Sequence, residues 1–172
     1  MSPDIIDADL HALAERLGKA LRARNFMLTT AESCTGGWAS MALTAVAGSS
    51  AWFERGFVTY SDAAKREMLG VKAETLDLHG AVSEAVVREM AAGAVARSAA
   101  QASLAISGVA GPGGGSATKP VGLVWLAWQL PGSGLRARCL HCRGGRTQVR
   151  REAVANAFEG LLEWLPAPAE GG

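Results

Sequence analysis

The sequence predicts a single three-layer α/β/α domain with a mixed sheet, a member of the α/β class, and three observations carry this prediction. Helical and strand-like periods alternate from Leu10 to Ser107, two strand-like runs then flank Pro131-Gly132-Ser133-Gly134, and a helical stretch closes the chain. With 172 residues, 49% hydrophobic and 19% charged, the chain can bury roughly 70% of the surface its unfolded form exposes, which provides a core without disulfides or a structural metal.

Leu10, Leu13, Leu17 and Leu21 recur at helical spacing behind Asp7, a residue able to cap, so residues 9–24 read as an amphipathic helix. Residues 27–30 read as a strand. It enters the turn Ala31-Glu32-Ser33-Cys34-Thr35-Gly36-Gly37, which leads to a helix over 38–44. A second strand covers 55–60, Ser61-Asp62 opens a helix carrying Lys65, and Ser83 starts an alanine-rich helix reaching about residue 99. Residues 103–107 form a buried strand that feeds a long glycine-rich segment, read as flexible, from Gly108 to Ser116. The runs 121–130 and 135–142 make a hairpin, and 147–164 a final helix. The domain is expected to span 1–165, with 166–172 as a flexible tail and no internal repeat.

Composition excludes several classes of function. A net charge of +1 with scattered arginines leaves no broad basic face for a nucleic-acid backbone or an anionic membrane. The longest apolar run, 121–130, is interrupted by Gly122 and Gln129, and the acidic N-terminus lacks the form of a signal peptide. Three cysteines, an odd count, fit a reducing compartment, so the expected location is cytoplasmic.

Three segments can carry chemistry. In Glu32-Ser33-Cys34-Thr35-Gly36-Gly37 a serine stands where the N–H groups of a helix start converge, suited to an oxyanion or a phosphate, although capped turns of this composition are also common. Phe57-Val58-Thr59-Tyr60-Ser61-Asp62-Ala63-Ala64-Lys65 places the chain's one tyrosine near a lysine about one helical turn further on. A buried lysine of lowered pKa can serve as general base to a serine hydroxyl, whereas a solvated one is an ordinary surface residue. The glycine-rich segment fits neither the P-loop nor the dinucleotide pattern, because Lys119 is followed by Pro120 and a strand. Ser116-Ala117-Thr118-Lys119 has Ser-x-x-Lys spacing but lies outside any helix. Cys139-Leu140-His141-Cys142 lacks a second half-site for zinc and reads as strand, while Arg143-Gly144-Gly145-Arg146 suits either an anion or a solvated turn.

Taken in order, Thr30-Ala31-Glu32-Ser33-Cys34-Thr35-Gly36-Gly37, Ala47-Gly48-Ser49-Ser50, Tyr60-Ser61 with Lys65, Leu69-Gly70-Val71, His79-Gly80-Ala81-Val82-Ser83, Ser107-Gly108-Val109-Ala110-Gly111-Pro112 and Lys119-Pro120-Val121-Gly122 resemble the CinA C-terminal domain family. Within that family the chain resembles the stand-alone nicotinamide-nucleotide amidases, over about residues 10–164. The resemblance implies a serine amidohydrolase that needs no metal or cofactor, with a small-molecule nucleotide as substrate. It assigns Ser33 as nucleophile, Lys65 as general base and Tyr60 as proton relay or orienting group. It implies an oxyanion site at the N–H groups of Cys34, Thr35 and Gly36, with Ser107 as helper. Candidate phosphate donors are the turn bearing Ser49, the loop from Gly111 and the guanidinium of Arg146. A homo-oligomer is implied, dimer or higher.

Gly113 stands where the family often has an acidic or hydroxyl residue, and Gly145 where it often has aspartate; both remove a polar side chain from expected binding loops. Trp38, Trp52, Phe53 and Trp125 can stack on a pyridinium ring or fill the core. The alternative to an enzyme is a nucleotide- or protein-binding module linked to competence or DNA damage, which has no chemical need for Ser33, Tyr60 and Lys65 together.

Overall fold

The structure, a computed structural model, describes residues 8–168; the Asp7 cap and residues 169–172 of the expected tail lie outside them. In chain order the elements are α1 (Ala8–Arg22), β1 (Leu28–Glu32), α2 (Trp38–Thr44), a short 3₁₀ turn (Ser49–Ala51), β2 (Phe53–Val58), α3 (Asp62–Leu69), α4 (Ala73–His79), α5 (Glu84–Ala96), β3 (Ala102–Gly108), β4 (Leu123–Leu130), β5 (Gly134–His141) and α6 (Arg146–Trp164). The sheet runs β2-β1-β3-β4-β5, with β1 parallel to β2 and β3, and β4 antiparallel to both its neighbours. It is the mixed sheet the sequence predicts.

Strand side chains alternate between faces, so each strand feeds two cores. Leu28, Leu104, Ile106, Val124, Leu126 and Trp128 pack with α1, α2 and α6; Ala31, Ala105 and Ala127 meet the layer of α3, α4 and α5. Alanines on that second face let α5 lie close to the sheet. Close approach continues between helices: a Cβ at Gly93 of α5 would stand 2.0 Å from the Leu69 carbonyl oxygen at the end of α3. Backbone contact at this point fixes α3, and with it Lys65.

Element ends differ from the sequence reading in instructive ways. β1 runs through Glu32, expected in the turn, because Glu32 pairs in register with Val58 and Ile106. β2 stops at Val58, so Tyr60 lies beyond the strand it was expected to end. The helix α4 was not expected; of its side chains only Leu76 is buried, and Leu78 is exposed, too weak an apolar stripe to mark a helix. The glycine-rich segment is pinned where it leaves β3 and where it approaches β4. Val109 N–H donates to the Leu123 carbonyl, Gly122 N–H to the Val109 carbonyl, and the Lys119 ammonium donates to the His79 carbonyl at the end of α4. At the far end Arg24 holds the Pro166 carbonyl at 2.5 Å, so the first residue of the expected tail is anchored. Among the described residues no helix is long and apolar enough to cross a membrane.

Candidate active site

The connection after β1 passes over one face of the sheet through α2, and the connection after β2 returns over the other through α3, α4 and α5. Strand order therefore reverses beside β1, and the carboxyl ends of β1 and β3 lie at a topological switch point, the position where α/β sheets bind ligands. Ser33 stands there. Its N–H donates to the Ile106 carbonyl of β3 at 2.9 Å, which anchors the residue to the sheet before the chain turns. The turn closes by Gly36 N–H donating to the Ser33 carbonyl at 3.0 Å, and Gly36 and Gly37 take φ of 59° and 99°, where a side chain is disfavoured.

Lys65 reaches the same point from α3, whose N-cap Ser61 accepts from Ala64 N–H at 3.1 Å. The lysine is 1% exposed, and its Nζ donates to Ser33 Oγ at 2.9 Å and to the Thr59 carbonyl at 2.8 Å. Burial lowers its pKa below the ordinary lysine value, against the smaller opposing influence of Asp62. A buried amine of lowered pKa against a serine hydroxyl can take that hydroxyl's proton, the geometry of an activated nucleophile. Cys34 beside it is no competitor: burial pushes its thiol up to about 11.

The turn is held from inside by a residue the sequence reading gave no role. Glu32 is fully buried, and its carboxylate accepts from the Thr35 hydroxyl at 2.7 Å, Gly37 N–H at 3.1 Å, Ala39 N–H at 3.0 Å, Ser40 N–H at 2.9 Å and the Ser40 hydroxyl at 2.8 Å. Five donors, three of them backbone groups at the start of α2, replace a counter-ion. No short-range capping pattern marks this, because the carboxylate precedes Ser40 by eight residues. Arg150 of α6 was likewise missed; it lies one helical turn after Arg146 on the same face, a spacing that would have found it.

The other expected site residues divide. The N–H of Thr35 meets no backbone acceptor among the described residues, that of Cys34 lies against its own thiol, and that of Gly36 is committed to Ser33 within the turn. Ser107 is buried and its hydroxyl donates to the Ala81 carbonyl at 2.8 Å, which leaves it no proton for an oxyanion. Arg146, exposed at the start of α6, joins the Gly111 carbonyl at 2.8 Å to the Tyr60 hydroxyl at 3.2 Å. Tyr60 is itself 63% exposed and bonded to Arg146, whereas both Nζ bonds of Lys65 go to Ser33 and Thr59. Ser49 does not join them within this chain: it precedes β2, beside the opposite end of strands whose length of about five residues spans roughly 16 Å. Gly113 and Gly145 have open space around their Cα positions. Of the aromatic residues, Trp52 is buried in the core and Phe53 and Trp125 pack against core clusters. Trp38 borders an open depression of about 530 Å³ together with Gly36, Gly37, Met41 and Arg150. No group of three or more metal-ligating side chains occurs among the described residues.

The family profile described as the CinA C-terminal domain matches residues 10–165. The nicotinamide-nucleotide amidohydrolase PncC of Escherichia coli is 55% identical over 159 residues, 91% of this chain and 95% of the relative. PncC of Pseudomonas putida is 53% identical over 151 residues, 88% of this chain and 94% of the relative. Among solved structures, the competence/damage inducible protein CihA from Agrobacterium tumefaciens superposes with a TM-score of 0.90 at 46% identity, covering 94% of this chain and 99% of that one.

Proposed function

From the premise that the chain belongs to the CinA C-terminal domain family, we propose that it is a nicotinamide-nucleotide amidohydrolase. It converts nicotinamide mononucleotide and water to nicotinic acid mononucleotide and ammonia, a step of pyridine-nucleotide recycling. The relatives of near-full-length coverage support the activity. The 2.9 Å contact between Lys65 Nζ and Ser33 Oγ carries the mechanism.

In that mechanism the neutral Lys65 amine takes the Ser33 proton as the oxygen bonds to the carboxamide carbon. Negative charge then gathers on the former carbonyl oxygen, for which the N–H groups of the Ser33 turn, Thr35 first among them, serve as donors in this reading. Lys65 returns the proton to the departing nitrogen, the C–N bond breaks and ammonia leaves. Water, deprotonated by Lys65, attacks the acyl carbon, the ester C–O bond breaks, and Ser33 regains its proton. Arg146, with the Tyr60 hydroxyl at its side, serves the substrate phosphate and so gives Tyr60 an orienting role. The reading takes the chain to work without cofactor, in the cytoplasm, as a homo-oligomer and without direct contact to nucleic acid; the near-even charge supports the last point.

The test is ammonia release from nicotinamide mononucleotide by purified protein in the presence of chelator, with free nicotinamide as control substrate. Ser33→Ala and Lys65→Ala are expected to lower turnover more than about a thousandfold with the fold intact. Near-normal turnover in either would remove the assigned roles, and binding without turnover by the unaltered protein would favour a binding module.

A further inference from the structure

Among the described residues Arg150 makes no hydrogen bond to Ser33, yet its guanidinium grips the turn that follows it. Nε donates to the Cys34 carbonyl at 3.0 Å and Nη2 to the Thr35 carbonyl at 3.0 Å, across 116 and 115 residues of sequence. The guanidinium carbon lies 5.3 Å from the centroid of Trp38, so the group is itself held on an aromatic face. A trans, planar peptide points its C=O and its N–H in opposite directions. Holding the Cys34 carbonyl therefore fixes the Thr35 N–H pointing away from Arg150, and this N–H meets no backbone acceptor among the described residues. Holding the Thr35 carbonyl orients the Gly36 N–H that closes the turn onto Ser33. A positive charge on the oxygen side also polarises each peptide, which strengthens its N–H as a donor. Two carbonyls one residue apart match the rigid fork of an arginine and not the single ammonium of a lysine.

We propose that Arg150 is a positioning residue for the amidase reaction: by gripping the Cys34 and Thr35 carbonyls it sets the direction and donor strength of the Thr35 N–H that receives the developing oxyanion. The inference rests on the reading of Ser33 as nucleophile. Arg150 also borders the depression lined by Gly36, Gly37, Trp38 and Met41, and a direct hold on substrate there would act on affinity instead of turnover.

The experiment measures kcat and KM on nicotinamide mononucleotide for the unaltered protein, Arg150→Lys and Arg150→Met, together with the rate at which a fluorophosphonate labels Ser33. Thermal melting checks that the variants fold. Expected are a kcat lowered about tenfold to a hundredfold, as small displacements of reacting groups produce, a KM within about twofold, labelling slowed in parallel, and partial recovery of Arg150→Met by added ethylguanidinium. Unchanged kcat and labelling would overturn the proposal, as would a raised KM at unchanged kcat, which assigns Arg150 to substrate. Loss of the folded state in both variants would assign it to the fold alone and equally overturn it. Arginine-dependent labelling without turnover of nicotinamide mononucleotide would remove the proposed substrate and leave this inference standing; absence of both labelling and turnover would overturn the two together.

Discussion

Ser33 and Cys34 are adjacent, and burial decides between them. The thiol, pushed up to about 11 by its apolar surroundings, stays protonated near neutrality, while Ser33 has a buried amine in contact. The same burial that protects the thiol lowers Lys65. A lysine whose folded pKa lies below its unfolded value carries fewer protons folded than unfolded between the two, so stability rises with pH across that window, and below it the folded state buries a charged amine. In the proposed mechanism activity follows the same titration, because only a neutral Lys65 amine would accept the serine proton. The expected profile of kcat/KM therefore rises with pH through the lowered pKa of Lys65. Profiles recorded with and without a substitution of Asp62 provide the check: Asp62 opposes the lowering, so Asp62→Asn is expected to shift the rising limb to lower pH, and a limb that stays in place would assign it to another group.

The joint of β1 with α2 gathers five hydrogen bonds on the side chain of Glu32. All five partners of Glu32 are donors, so glutamine, equal in size, would turn an amide NH₂ against groups that need an acceptor. Glu32→Gln is expected to destabilise the fold by about 3 kcal/mol, read from denaturant unfolding, and to lower turnover because the Ser33 turn loses its inner support. Unchanged unfolding would show that the carboxylate charge is not what holds the joint. The opposite support comes from α5, whose Gly93 meets the carbonyl of Leu69 and keeps α3 near enough for Lys65 to reach across to β1.

At the scale of the molecule, the site is assembled from parts far apart in the chain. Arg146 draws the Gly111 loop and the Tyr60 turn together from the start of α6, bridging 35 and 86 residues of sequence. Its side chain is exposed to solvent, as the proposed hold on the substrate phosphate requires. Arg146→Met is expected to raise KM for nicotinamide mononucleotide about tenfold with kcat within about threefold, and steady-state kinetics decide it; a fall in kcat alone would move Arg146 from binding to chemistry. Much of this architecture was legible in the sequence. An apolar period marked α1, the Pro131-Gly132-Ser133-Gly134 break marked the hairpin, Ser61 marked the start of α3, and the serine turn and Lys65 stood out because their residue types are chemically specific. Such signals act over a few neighbouring residues, where propensity, capping and alternation operate. Tertiary structure decided what depends on partners distant in sequence: that Lys65 is buried against Ser33, that Glu32 is saturated by α2, that Arg150 grips the turn, and that Ser49 stands at the far end of the sheet. Burial and hydrogen-bond satisfaction are properties of the packed chain, and no local pattern encodes which carbonyl a guanidinium 116 residues away will meet.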